Sequence, residues 1–340
     1  MFGESLLSGD ETAEEYFKPR MAVVGIGGGG NNTVNRLNEM NVRGAGLYAF
    51  NTDARQLGIL SPEITKLVLG REITRGLGAG GFPDIGEKAA ELSRAEIGTH
   101  LKNAHLVFIT AGMGGGTGTG AAPVVAKMAK ESGAVVVGIV TLPFSLERVR
   151  IETAKKGLQK LRKDVDTLIV IDNQRLVSLY PNIPIEQTFK IADEITAKAV
   201  RGISETISRE SLINLDFADV RSILGVGGLG MMGIGSAEGH DRASEVVESA
   251  ITNKLLNVDY TGAKGVLFHI TGGSSMTLGE ANTIGEKLTE KIRPEANVTW
   301  GARLDPSYGS RIELVAIFTG VSSPELFGNE ESEGRRMGIY

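Results

Sequence analysis

Two glycine-rich segments, each set between an apolar run and a helical pattern, constrain this chain more than any other feature. The first reads Gly25-Ile26-Gly27-Gly28-Gly29-Gly30-Asn31-Asn32 and follows the apolar residues 21–24. The second reads Ala111-Gly112-Met113-Gly114-Gly115-Gly116-Thr117-Gly118-Thr119-Gly120 and follows residues 105–110. Glycine lets backbone N–H groups turn toward an anion and approach it closely, and a helix N-terminus adds partial positive charge. Two such segments after neighbouring strands predict a polyphosphate held from two sides. Neither contains the Gly-Lys-Ser/Thr of a P-loop, so no lysine grips the phosphates from within either motif.

Around these segments strands alternate with helices. Strands are expected at 21–26, 47–50, 66–69, 105–110, 134–141 and 167–171, with helical patterns at 85–101, 121–131 and 151–163. The strand runs are continuously apolar and rich in Val and Ile, as parallel strands covered on both faces are. This predicts a doubly wound, Rossmann-like α/β domain. A long amphipathic helix follows at 185–208, with Phe189, Ile191, Ile195, Ala199 and Ile203 along one side. Beyond residue 220, strands at 230–234, 265–271, 298–303 and 311–319, with helices at 243–256 and 277–292, predict a smaller α+β domain with its own single sheet. The expected organisation is a flexible arm (1–19), a nucleotide-binding domain (20–184), a central helix (185–213), a C-terminal domain (214–321) and a flexible tail (322–340).

Composition narrows the function. A chain of 340 residues has room for two cores, and its 46 glycines cluster between apolar runs. A net charge of −5 without a basic stripe argues against a nucleic-acid surface. The absence of cysteine excludes disulfides, thiolate zinc sites and a cysteine nucleophile. His100, His105, His240 and His269 have no acidic partners at ligand spacing and read as structural. The acidic start (Glu4, Asp10, Glu11, Glu14, Glu15) is unlike a signal peptide, and the longest apolar stretch, 133–144, is too short to span a bilayer. A cytoplasmic protein without membrane insertion is expected.

The first segment alone also fits a dinucleotide fingerprint, Gly25-x-Gly27-x-x-Gly30, with Asp53 after the next strand as a ribose acid. That reading predicts a monomeric dinucleotide-dependent oxidoreductase. Against it stand the polar Asn31-Asn32, where such a helix packs small apolar residues, and the second glycine segment, which has no role there.

The stretch from Gly114 to Gly120 resembles the tubulin signature loop. Taken in order with Gly27 to Asn32, Asn51-Thr52-Asp53, Arg75 to Gly81, Pro143-Phe144 and Asn214-Leu215-Asp216-Phe217-Ala218-Asp219, it makes residues 21–319 resemble the FtsZ family. These are prokaryotic tubulin homologues that act as cell-division GTPases. The resemblance implies phosphate contacts from Gly27, Gly28 and Gly29, from Ala79, Gly80 and Gly81, and from Gly114, Gly115, Gly116, Thr117 and Gly118. It puts Asn51 and Pro143 in the nucleotide pocket and Asp53 near a magnesium ion, through water. A hard cation beside phosphates wants such oxygens.

Guanine offers N1–H and N2–H₂ side by side, and a carboxylate accepts both. Phe189 and Asp193, four apart on one helix face, are implied to meet the base by ring and carboxylate, with Asn32 and Asn173 adding polar contacts. Glu147 and one arginine are implied at the ribose and phosphates. The segment 147–150 is one residue shorter than in many relatives, which leaves two candidates: Arg150 is favoured, with Arg148 the alternative.

Asp216 and Asp219 follow the central helix, at its end far from the glycine segments. A helix of that length separates its ends by about 30 Å, and nucleotides sit beyond the carboxyl ends of the strands. The two carboxylates are therefore out of reach of their own chain's nucleotide but within reach of the next subunit's, if subunits stack head to tail. A heterologous contact that does not close builds a filament. The resemblance gives them the attacking water, with Asn214 orienting the loop. The expected function is a GTP-dependent, self-assembling protein of the mid-cell division ring, using GTP/GDP and Mg and recruited by a membrane-tethering adaptor through its tail. A non-hydrolysing regulatory paralogue is the further alternative, and Asn214, Asp216 and Asp219 argue against it.

Overall fold

The structure is a computed structural model describing residues 19–179, 182–208, 212–213, 215–252, 258–323 and 326. Nearly all of the expected arm, the tail beyond Leu326, and Asn214 lie outside these residues.

The apolar runs of the first half form parallel strands β1 (Met21–Ile26), β2 (Ala45–Asn51), β3 (Thr65–Val68), β4 (Leu106–Gly112), β5 (Val135–Leu142) and β6 (Thr167–Asp172), ordered β3-β2-β1-β4-β5-β6. The register sets Ile26 beside Phe50 and Ala111, Gly112 beside Thr141, and Leu142 beside Asp172, so the carboxyl ends emerge together along one edge. Because side chains alternate across a strand, Met21 and Val23 face a core shared with Val34 and Leu37 of the helix Gly27–Glu39. Ala22 and Val24 face the opposite core, shared with Ala121 and Val125 of the helix Thr117–Glu131.

Three helical patterns depart from the sequence expectation. The pattern at 85–101 is two helices, Pro83–Leu92 and Arg94–Leu101, because Ser93 leaves the helical ladder and its hydroxyl accepts the Gly70 N–H at 2.9 Å. Both helices after the glycine segments start earlier than expected, at Gly27 and Thr117, inside the glycine segments themselves.

The second half contributes β7 (Gly228–Ala237), β8 (Gly265–Gly272), β9 (Asn297–Leu304) and β10 (Ile312–Val321), ordered β7-β10-β8-β9. It was expected to hold a separate sheet. Instead β7 pairs in parallel with β6, from Thr167 beside Gly228 to Ile169 beside Gly230, and the two halves share one ten-stranded sheet. The junction is tied by the buried Thr167 hydroxyl, which donates to the Leu224 carbonyl.

The helices Arg242–Thr252 and Leu278–Thr289 cover one face of β7–β10, and the central helix Ile185–Ser208 covers the other through Val200 and Ile203 against Leu267 and Ile317. The two outer helices are clamped together by Arg242, which donates from Nε to Glu280 at 2.6 Å. That guanidinium, more than burial opposes it, holds the Glu280 carboxyl down at about 2.

Candidate functional site

A cleft of about 490 Å³ opens where the carboxyl ends of β1, β2, β4, β5 and β6 meet the central helix. Most of the predicted residues line it. Gly27, Gly28, Gly29 and Asn32 come from the start of the helix after β1, and Asn51 and Asp53 from the end of β2. Gly81 comes from the following loop, and Gly115, Gly116, Thr117 and Gly118 from the segment after β4. Pro143, Glu147 and Arg150 follow β5, Asn173 follows β6, and Phe189 and Asp193 lie on the central helix.

Three predicted residues are not part of the lining. Ala79 is buried and backs Gly116, where an added Cβ would sit 2.8 Å from the Ala79 Cβ. Gly80 is exposed in left-handed backbone beside Phe82. Gly114, at φ 97°, turns its Cα toward the Arg150 backbone and donates its N–H to Thr119 Oγ1 at 2.8 Å. Arg148 does not reach the lining, whereas Arg150 does, paired with Glu147 at 2.6 Å. Glu147 also accepts the Phe144 N–H at 3.1 Å.

Sequence reasoning missed Gln56, Gly78, Gly112, Met113, Thr141, Leu142 and Ala192, which also line the cleft. The rule that ligands sit at strand ends would have found Gly112, Thr141 and Leu142. Gln56 lies three residues after Asp53, at the spacing of a helix cap, and accepts from Asn51 Nδ2 at 3.0 Å. It also missed Asn31, which is buried and clamps β1 to β2 by donating to the Gly25 carbonyl at 2.8 Å and accepting from Asn51 at 2.7 Å. An asparagine with no solvent on either side has no local signature.

A second tie joins the two glycine segments' neighbourhoods. The Thr52 and Thr117 hydroxyls lie 2.7 Å apart. Asp53 caps the helix Ala54–Gly58, its Oδ1 accepting from the N–H groups of Arg55 and Gln56 at 2.9 and 3.2 Å. The cap fixes a carboxylate at the cleft wall. Among the described residues no three His, Asp or Glu side chains cluster as a metal cage. Magnesium keeps several waters and takes one or two carboxylates plus substrate phosphates, so a single Asp53 beside glycine N–H groups fits it.

At the opposite end of the cleft the acceptors are short of donors. Burial pushes the Asp193 carboxyl up to about 7, against the opposing effects of the Thr33 hydroxyl, 3.4 Å away, and of Arg36. Asn173 is buried and its Oδ1 has no hydrogen-bond partner among the described residues. A buried acceptor without a donor costs about 1–3 kcal/mol, which a ligand's N–H groups would relieve. Phe189, in the same lining, is 47 % exposed and held edge-on to Phe144 at 5.1 Å. An open aromatic face beside two acceptors is suited to a flat base with adjacent N–H donors.

The acid loop is elsewhere. Asp216 caps the helix Phe217–Leu224, accepting the Ala218 N–H at 3.1 Å, and both Asp216 and Asp219 are exposed and off the cleft. Phe217 packs 6.1 Å from the ring of His105, which immediately precedes β4. The cleft lies at the other end of β4, about 23 Å along a strand of that length. The loop and the cleft therefore occupy opposite edges of the sheet.

With this geometry in view, a family model described as the Tubulin/FtsZ family GTPase domain matches residues 20–181, and one for the FtsZ family C-terminal domain matches residues 228–322. The chain is 52 % identical over 325 residues to cell division protein FtsZ 2 of Methanocaldococcus jannaschii, covering 95 % of this chain and 85 % of that protein. The solved empty FtsZ dimer of M. jannaschii superposes with a TM-score of 0.86 at 44 % identity over 90 % of each chain. CetZ2 from Haloferax volcanii, solved as a GTPγS-bound protofilament, shares the fold at TM-score 0.77 and 21 % identity, over 93 % of this chain and 98 % of that one. Fold and cleft together define a GTPase of the tubulin type. The chain belongs to the FtsZ family of cell-division proteins. Among the described residues no helix is long and apolar enough to cross a membrane.

Proposed function

We propose that this GTPase assembles head to tail and hydrolyses GTP only between subunits, the cleft of one closed by the acid loop of the next. The observation that carries this reading is the division of labour along the sheet. The cleft's own carboxylates are committed elsewhere or desolvated: Asp53 in a helix cap, Glu147 with Arg150, and Asp193 lifted to about 7 by burial. The exposed pair, Asp216 and Asp219, stands at the far edge. Exposed apolar side chains on the rim segments, Leu77, Phe82, Leu146 and Val149, supply a surface for the incoming subunit.

In this reading Asp193, Asn173, Asn32 and Phe189 select guanine. N–H groups of residues 27–29 and 115–118, the Thr117 hydroxyl and Arg150 hold the phosphates, with Ala79, Gly80 and Gly114 shaping the loops behind them. Magnesium, when bound beside Asp53, supplies positive charge at the phosphate oxygens. Asp216 of the adjoining subunit orients the attacking water and takes its proton, Asp219 supports it, and Asn214 braces the loop. Hydrolysis of an anhydride needs positioning and charge stabilisation above all. The functional units are a GTP-binding domain at 20–184, the central helix at 185–213 and a C-terminal domain at 214–321 that begins with the acid loop.

The test is turnover per molecule against protein concentration. A shared site gives a rate rising from near zero above a threshold, together with light scattering that requires GTP and not ATP. A concentration-independent rate would refute sharing. The protein works in the cytoplasm at mid-cell, tethered to the membrane by an adaptor that reads the tail. Removing residues 327–340 should spare assembly and abolish adaptor capture in a pull-down. Assembly lost on truncation would make the tail part of the polymer instead.

A further inference from the structure

We propose that His105 is a positioning residue for hydrolysis, holding the acid loop in the attitude that serves the neighbouring subunit's nucleotide. The inference rests on the reading that Asp216 and Asp219 act in that neighbour's cleft. His105 and Arg20 are reciprocally paired: the His105 N–H donates to the Arg20 carbonyl at 2.8 Å, and the Arg20 N–H donates to His105 Nδ1 at 2.9 Å. With Nδ1 accepting the Arg20 N–H, the plane of the ring is fixed against the chain entering β1. Against that ring packs Phe217, centroids 6.1 Å apart and tilted by 58°.

Phe217 occupies a sensitive place. It is the first residue of its helix, between the Asp216 cap and Asp219 in the first turn. Leu215 on one side and Val220 on the other are buried in the core and fix where the segment runs. The half-buried Phe217 ring lies against the edge of the nucleotide-binding half, so its contact with His105 sets the tilt of the turn that carries both carboxylates. Misplacing a catalytic group by about 1 Å costs about a hundredfold in rate. The cleft, at the other end of β4, has no contact with this ring pair.

The test uses the full chain with GTP. His105→Ala should lower kcat in filaments by about ten- to a hundredfold while KM, GTP affinity and the critical concentration for assembly stay as in the parent. Phe217→Leu, which leaves the Arg20 pairing intact, should do the same and keeps the test alive if His105→Ala fails to fold. His105→Phe, which preserves a ring, should recover most of the rate.

The decisive arm mixes His105→Ala with Asp216→Ala in filaments shown by co-pelleting to contain both. If His105 acts on the acid loop, both variants keep a good cleft and a poor loop, and the mixture stays as slow as its parts. If His105 acts on its own cleft, its intact loop would serve the intact cleft of Asp216→Ala, and hydrolysis would recover. Recovery overturns the proposal, as does normal turnover in His105→Ala and Phe217→Leu, or a loss of GTP affinity in step with kcat. A normal rate in Asp216→Ala alone would instead bring down the shared-site reading, and is read separately.

Discussion

The two ends of β4 are built on opposite principles. At its carboxyl end polar groups are left short of partners: glycine backbone forms much of the cleft wall, Asn173 Oδ1 is buried without a partner among the described residues, and the Asp193 carboxyl is lifted to about 7 by burial. At its amino end polar groups are engaged locally: Asp216 accepts the Ala218 N–H, His105 pairs with Arg20, and the Thr167 hydroxyl donates to Leu224. The first end is left incomplete, to be satisfied by a ligand. The second is finished within the chain and presents two exposed carboxylates as a preformed surface. A binding site tolerates unsatisfied groups because the ligand supplies the missing partners, whereas a group offered to another subunit must already be aimed.

The largest expected effect breaks this contrast at the amino end. Asp216→Ala should bind GTP and form filaments, since its own cleft is untouched, while hydrolysis measured by phosphate release falls about a hundredfold or more. Unchanged turnover in those filaments would mean the exposed carboxylates are ornamental. Doped into parent filaments, the variant should lower turnover faster than dilution and lengthen polymer lifetime.

At the carboxyl end Asp193→Asn puts an NH₂ against the base's donors, costing about 1–3 kcal/mol, or ten- to a hundredfold in GTP affinity by calorimetry. Equal affinity of the parent for ATP and GTP would remove Asp193 as the reader of the base. The same carboxyl makes binding pH-dependent. In nucleotide-free protein it holds its proton up to about 7 where the unfolded chain releases it near 3.8. Stability of that form should therefore decline as pH rises from about 4 to about 7, because the native state then binds more protons than the unfolded one. With Asp193 as the proposed guanine reader, binding needs the carboxylate, so GTP affinity should rise by up to about tenfold per pH unit below 7 and level off above it. Asp193→Asn should flatten both profiles. A parent affinity that is level between pH 5 and 8 would show the carboxyl already ionised.

The smallest effects separate glycines that make the fold from glycines that admit the ligand. At Gly118 an added Cβ would lie 2.5 Å from the Gly112 carbonyl oxygen, so Gly118→Ala should lower Tm even without nucleotide, by about 1–3 kcal/mol of overpacking. At Gly115 nothing lies within 4 Å. Gly115→Ala should leave the nucleotide-free Tm unchanged and weaken GTP only modestly. A matching drop in Tm for both would erase the distinction between scaffold and opening.

Much of the cleft is legible in the chain because it is assembled from local signals at strand ends. The apolar run at 21–26 coincides with β1, the amphipathic pattern read at 185–208 is found as the helix Ile185–Ser208, and the residues after β1, β4 and β5 turn into the cleft as the strand-to-helix rule requires. What escaped detection depends on partners distant in sequence. Ser93 ends a helix because Gly70 needs its hydroxyl, and Asn31 is a clamp because Asn51 arrives beside it. Ala79 and Gly114 belong to loop motifs, yet they stand behind the surface they shape.

By itself, then, the chain's pattern of apolar runs and glycines determined the parallel sheet, the long amphipathic helix and the edge of the sheet on which the cleft opens. Those are consequences of short-range backbone freedom and of side-chain period, which act over a few residues. Only the tertiary structure decided that β7 joins β6 into one ten-stranded sheet, that Asp193 is buried enough to hold its proton, and that Phe217 meets His105 at the far end of β4. Strand pairing, desolvation and ring contacts arise between segments tens to more than a hundred residues apart, and no local pattern carries the distance between them.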